Sequence, residues 1–156
     1  MHIRLLAVGD RQPAWVDTAF KEYTERLPRQ WQFRLDTIAT AQRSKSVAAE
    51  VAKEAESEKI LSRIKPAEFV IVLDERGRQF TSKDFAAKLA DWQTIGQDLV
   101  FVIGGPDGVG KAILKRANLQ WSLSQLTLPH GLARAMFAEQ IYRAWSLTTG
   151  HPYHRE

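Results

Sequence analysis

Apolar residues recur along this chain in two rhythms, one suited to buried strands and one to helices. Ile3-Arg4-Leu5-Leu6-Ala7-Val8 reads as a buried strand that ends at Gly9. Pro13 stands where a helix can begin, because its missing N–H would be unpaired there anyway. Trp15, Val16, Ala19, Phe20, Tyr23 and Leu27 share one face of that helix, and Pro28 stops it. Trp31, Phe33 and Leu35 alternate with polar residues, as on a half-exposed strand. After the polar loop from Thr40 to Lys45, Ser46 is placed to cap a second helix carrying Val47, Val51 and Ala55. Phe69 to Leu73 is a continuous strand followed by a turn at Gly77. Ser82 is placed to cap a third helix with Phe85, Leu89 and Trp92, ending at Gly96.

Leu99 to Ile103 predicts another buried strand, and a short helix follows from Val109 to Ala117. Trp121 to Leu128 reads as a strand running into an apolar loop closed by Pro129. The last helix, Leu132 to Leu147, is apolar nearly all round, so it needs cover on several sides; a second subunit is the expected cover. Strands alternating with helices predict an α/β fold with a mainly parallel sheet and flanking helices. With no internal repeat and no dividing linker, the expectation is one domain over residues 1–156.

Charge adds a partner class. Lysine and arginine exceed aspartate and glutamate by 22 to 18, so the net charge is +4, which permits an anionic partner such as RNA without requiring one. Arg29, Arg34, Arg43 and Lys45 are candidates for such a surface, beside the plainer reading of solvated charge. The absence of cysteine excludes disulfides, thiolate metal sites and thiol nucleophiles, and fits a cytoplasmic protein. No run is long and apolar enough to span a membrane, and no secretory leader pattern opens the chain.

Three constellations could carry chemistry. Gly105-Pro-Asp-Gly-Val-Gly110-Lys111 approaches a phosphate-binding P-loop, but Ala112 stands where Ser or Thr must hold magnesium. The paired glycines Gly104 and Gly105 either admit a ligand close to backbone or simply make a tight turn. Trp121 to His130 alternates small polar and apolar residues before Pro129, which as a loop would suit a flat heterocycle such as adenine. The tail His151-Pro152-Tyr153-His154-Arg155 gathers groups that stack on bases, move protons and pair with phosphate, where a frayed terminus is the plainer reading. The four histidines do not assemble into a metal site.

Taken in order, these motifs resemble a known family. They are Val8-Gly9, Leu73-Asp74-Glu75-Arg76-Gly77, Phe101 to Gly108, Leu123 to His130, Glu139 to Ala144 and the closing His151 to Arg155. The chain resembles, over its whole length, the small SPOUT-class methyltransferases that act on N3 of a pseudouridine in 23S ribosomal RNA. The resemblance implies a C-terminal deep trefoil knot, which is an exception to the rule against threaded chains. It also implies a homodimer packed through the last helix. A 156-residue chain has no separate RNA-binding domain, so specificity is expected from a surface that the dimer makes, fitted to an assembled ribosome rather than free RNA. S-adenosylmethionine would lie against Leu73, Gly104 and the segment Leu123, Ser124, Gln125, Leu126, Thr127 and Leu128.

On that reading the tail of one subunit completes the site of the other. His154 would assist loss of the N3 proton, since an unperturbed imidazole titrates near working pH. Arg155 would hold phosphate or a developing oxyanion, Tyr153 would stack on the base, and Arg143 would contact RNA or anchor the tail. His130 is expected to orient the loop. The competing expectation is a catalytically silent module that docks on RNA.

Overall fold

The computed structural model describes residues 1–155, with only the backbone of Arg155. Five parallel strands form one sheet in the order β2-β1-β4-β3-β5. They are β1 (Ile3–Val8), β2 (Arg34–Ile38), β3 (Phe69–Gln79), β4 (Leu99–Ile103) and β5 (Leu119–Ser122). Crossovers between them run through α1 (Ala14–Thr24), α2 (Ala49–Ser62), α3 (Ser82–Ile95) and α4 (Lys111–Arg116), and α5 (His130–Thr149) closes the chain. The predicted α/β architecture is therefore the observed one.

Alternation along the strands divides the apolar residues between two faces. Ile3, Leu5, Ile71, Phe101 and Ile103 join Phe20, Phe85, Phe137 and Ile141 on the face covered by α1, α3 and α5. Leu6, Val8, Val70, Val72, Val100 and Val102 meet Ile60 and Ile113 on the face covered by α2 and α4. Arg4 is also buried, where it bonds Glu68 and Asp36.

Several local readings are corrected. Helix α2 starts at Ala49, because Ser46 is spent in a tight turn with Ser44. Its predicted apolar face is the wrong one: Val51 is exposed, while Ala52, Glu56, Ser57 and Ile60 are buried. Glu56 and Ser57 go inside because each finds polar partners there. Thr81, one residue before Ser82, caps α3 by accepting from Asp84 N–H at 3.1 Å. Trp31 belongs to a short 3-10 turn and is buried, with left-handed Gln32 separating it from β2.

Strand β5 is only four residues long, and the stretch after Ser122 leaves the sheet as a loop. Strand β3 runs past Gly77 with an irregularity between Leu73 and Arg78, both of which pair with Trp121. A Cβ on Gly77 would lie 2.6 Å from the Gln120 carbonyl carbon, so only glycine permits that close approach to β5.

Candidate functional site

The loop between β5 and α5 meets the carboxyl ends of β3 and β4 in a cleft of about 900 Å3. That is the end of a parallel sheet where ligands ordinarily bind. Of the expected cofactor contacts, Leu73, Gly104, Leu123, Ser124, Leu126, Thr127 and Leu128 line it, whereas Gln125 reaches Gln79. Side chains fasten the loop, Ser122 Oγ donating to Ser124 O at 2.7 Å. Thr127 Oγ1 donates to Glu75 at 2.8 Å, and Ser124 Oγ accepts from Leu126 N–H at 2.9 Å. Residues 124–128 lie outside helix and strand and make no backbone–backbone hydrogen bond among the described residues. Most of their peptide groups are therefore available to a ligand. Leu126 is 72% exposed at the mouth of the cleft.

The glycines act differently from expectation. A Cβ on Gly104 would meet the Gly108 backbone at 2.6 Å, and one on Gly105 would meet Glu56 at 2.9 Å. The missing side chains make room for the turn to fold on itself and onto α2, rather than directly for a ligand. Helix α2 then grips this turn: Ser57 Oγ accepts from Gly110 N–H and Glu54 from Lys111 N–H. Arg43 bridges Glu56 and Asp107, so it serves the cleft wall and is not a spare cation for RNA. Hydrogen bonds to Glu56 and Asp107 hold its guanidinium well above the ordinary arginine range despite desolvation.

Carboxylates also border the cleft. Burial disfavours charge on Asp74, but hydrogen bonds from the Arg76 side chain and backbone prevail and hold the carboxyl below its usual range. Asp74, Glu75 and Asp107 thus face the same space as the apolar Leu73, Ile103, Leu123 and Leu128. Arg76 and Lys53 line the cleft as well, and Arg43 pairs with Asp107, so the edge is mixed in charge; with its apolar wall and open peptide groups the cleft can hold a flat, partly polar ligand. Among the described residues no group of three or more histidine, aspartate or glutamate side chains could hold a metal ion.

The tail forms a second cluster. Tyr153 donates to Glu139 Oε1 at 2.9 Å, and Arg143 Nε donates to the same oxygen at 2.9 Å. The Arg143 guanidinium also lies over the Tyr153 ring, 5.1 Å from its centre. Burial, then the bond to Glu139, pushes the Tyr153 phenol well above its usual range, so the hydroxyl stays protonated. His154 Nδ1 is buried and finds no hydrogen-bond partner among the described residues. The Arg155 side chain lies outside the described residues. Arg143, Tyr153 and His154 are thus gathered around the end of α5, but away from the cleft. Helix α5 starts at the cleft with His130, and Glu139, which holds the tail, lies about 14 Å further along it at 1.5 Å per residue.

Sequence reading missed Glu139 as the hub of the tail and Asp74, Glu75 and Asp107 as cleft residues. Each had been quoted inside a motif, but nothing local marks a carboxylate as a hub. It also missed Arg134, which is 2% exposed and links Gly9 to His130.

The comparisons agree with this geometry. The family described as "Predicted SPOUT methyltransferase" matches residues 1–154. The chain is 45% identical over 156 residues to the ribosomal RNA large subunit methyltransferase H of Hydrogenovibrio crunogenus, covering all of both chains. It is 46% identical, again over all of both, to the protein of that name from Thioalkalivibrio sulfidiphilus. A probable methylase family protein from Haemophilus influenzae shares the fold with a TM-score of 0.58 at 14% identity, over 97% of this chain and 69% of that one. With full-length relatives on one side and a strand-end cleft on the other, this chain belongs to the SPOUT methyltransferase family.

Proposed function

We propose that this protein transfers the methyl group of S-adenosylmethionine to N3 of a pseudouridine in 23S ribosomal RNA. It would act in the cytoplasm, on the assembled ribosome, as a homodimer of knotted single-domain chains. The observation that carries the reading is the cleft: the segment from Leu123 to Leu128 folds against Leu73 and Gly104 with most of its peptide groups open. Full-length identity near 45% to relatives bearing the name ribosomal RNA large subunit methyltransferase H supports the substrate class.

The bound cofactor supplies an electrophilic methyl group on a sulfonium. The chain's own contribution is position, which can supply several kcal/mol, with an upper range of roughly 7–11 kcal/mol. Leu73, Leu123 and Leu128 would exclude water from the donor, and the open peptides within 124–128 would hold the polar edge of its base. Asp74 is held ionised by Arg76, and the pair would offer both a hydrogen-bond acceptor and a donor at the cleft wall.

The acceptor side belongs to the tail. His154, whose Nδ1 has no partner, would take the proton from the attacking nitrogen. Arg155 would steady the charge that develops on the neighbouring carbonyls. Glu139 fixes Arg143 and Tyr153, so the tail is presented in an ordered form with the Tyr153 ring beside the incoming base. Because α5 separates tail and cleft within one chain, the two would meet across a dimer in which each tail serves the partner's cleft.

The test is methyl incorporation from labelled S-adenosylmethionine into purified ribosomes lacking the modification, with the RNA digested to locate the label. Label on N3 of one pseudouridine is expected. No label, with the cofactor bound, would refute the substrate. No cofactor binding would leave a module that only docks on RNA.

A further inference from the structure

In an open parallel sheet the crevice favoured by ligands lies where neighbouring strands connect in opposite directions. Here that place is between β1 and β4, since β1 is flanked by β2 on one side and β4 on the other. It is plugged by the protein itself. Gly9 and Gly104 each follow their strand by one residue, so their carbonyls lie past the ends of the ladders. Arg134 Nη2 donates to Gly9 O at 2.9 Å, and also contacts His130 Nε2 at 2.9 Å. His130 Nδ1 lies 2.8 Å from Gly104 O.

The chemistry of these groups leaves one arrangement. A guanidinium only donates, so His130 Nε2 must accept. A carbonyl only accepts, so Nδ1 must carry the proton. His130 is therefore neutral with both nitrogens engaged. Burial pushes it below the usual imidazole range; the Gly104 carbonyl opposes this, and the charge of Arg134 reinforces it. Among the described residues no carboxylate hydrogen-bonds buried Arg134, Asp17 attracts it only through charge, and its Nε has no hydrogen-bond partner. A buried cation kept on such terms is costly unless its position matters.

We propose that His130 and Arg134 are positioning residues, a brace from α5 to the ends of β1 and β4 that sets the Gly104 wall of the cofactor cleft. His130 takes no proton from the substrate. This rests on the cofactor reading above, because Gly104 lines the same cleft. The bonds have separable halves. His130→Asn can keep a donor near the Nδ1 position for Gly104, while His130→Gln can keep an acceptor near the Nε2 position for Arg134.

The experiment joins imidazole 15N shifts of the histidine-labelled chain, without cofactor, to calorimetric binding of S-adenosylmethionine. Expected at neutral pH is the Nδ1–H tautomer of His130. Folded His130→Gln should bind cofactor about 10-fold more weakly, the scale of one lost hydrogen bond, and His130→Asn within about 3-fold of the parent. An imidazolium or an Nε2–H tautomer would overturn the brace. So would His130→Gln binding like the parent, or equal losses in both variants, which would mark a packing effect. Parent protein that binds no cofactor would refute the functional reading instead, and the tautomer would still decide the brace.

Discussion

The cleft and the tail are built on opposite terms. The cleft is finished within one chain: α2 grips the glycine turn, Glu75 ties down the loop, and His130 holds Gly104. The tail is ordered too, around Glu139, but none of its described residues lines the cleft. On the proposed reading the cofactor site is a property of the monomer, whereas the acceptor chemistry comes from a second copy. In an enzyme that joins two substrates this division makes methyl transfer depend on assembly, while donor binding does not.

The largest effect should come from a change confined to the tail. Arg155→Ala is expected to lower methyl transfer at least about 100-fold, as loss of an oxyanion donor does. Cofactor affinity measured by calorimetry should stay at the parent value. Equal loss of both would erase the distinction between the regions. Next is Gly104→Ala, where a methyl group must displace the Gly108 backbone. Cofactor affinity should fall about 10-fold, and stability by about 1–3 kcal/mol as for an overpacked site. Denaturant melts and titrations would check both.

Glu139→Ala tests order rather than chemistry. It unties Tyr153 and Arg143 together, so kcat should fall about 10-fold, the scale of one or two lost hydrogen bonds. The KM for the cofactor should not move. A shifted cofactor KM would mean that the tail reaches the cleft of its own chain.

The smallest effect concerns acid stability. His130 has a folded pKa below its unfolded value, so the unfolded chain binds the extra proton first. Its contribution is fully present above the unfolded imidazole pKa. It declines as pH falls from there and is lost below the folded pKa. Thermal melts across mildly acidic pH should therefore slope less in His130→Asn than in the parent.

Much of the fold was legible because parallel strands bury both faces and so write themselves as apolar runs, as at Phe69 to Leu73 and Leu99 to Ile103. The second helix was misread because its inward face carries Glu56 and Ser57, whose partners Arg43 and Gly110 are distant in sequence. The loop after β5 was marked as chemically unusual, yet its strand was drawn too long. Alternating Leu123, Leu126 and Leu128 look alike whether they face a sheet or a cleft. The tail's residues stood out by type, but their gathering at Glu139 depends on a turn back along α5 that no local pattern announces.

The central claim is that one chain's cleft works with another chain's tail. The direct measurement mixes Gly104→Ala chains with Arg155→Ala chains, refolds them together, and follows labelled methyl transfer to unmodified ribosomes. Random pairing leaves one intact composite site in each mixed dimer, so activity should return to about a quarter of the parent's. If each tail served its own cleft, no mixed dimer would hold an intact site. Activity would then stay at the level of the separate variants and contradict the account.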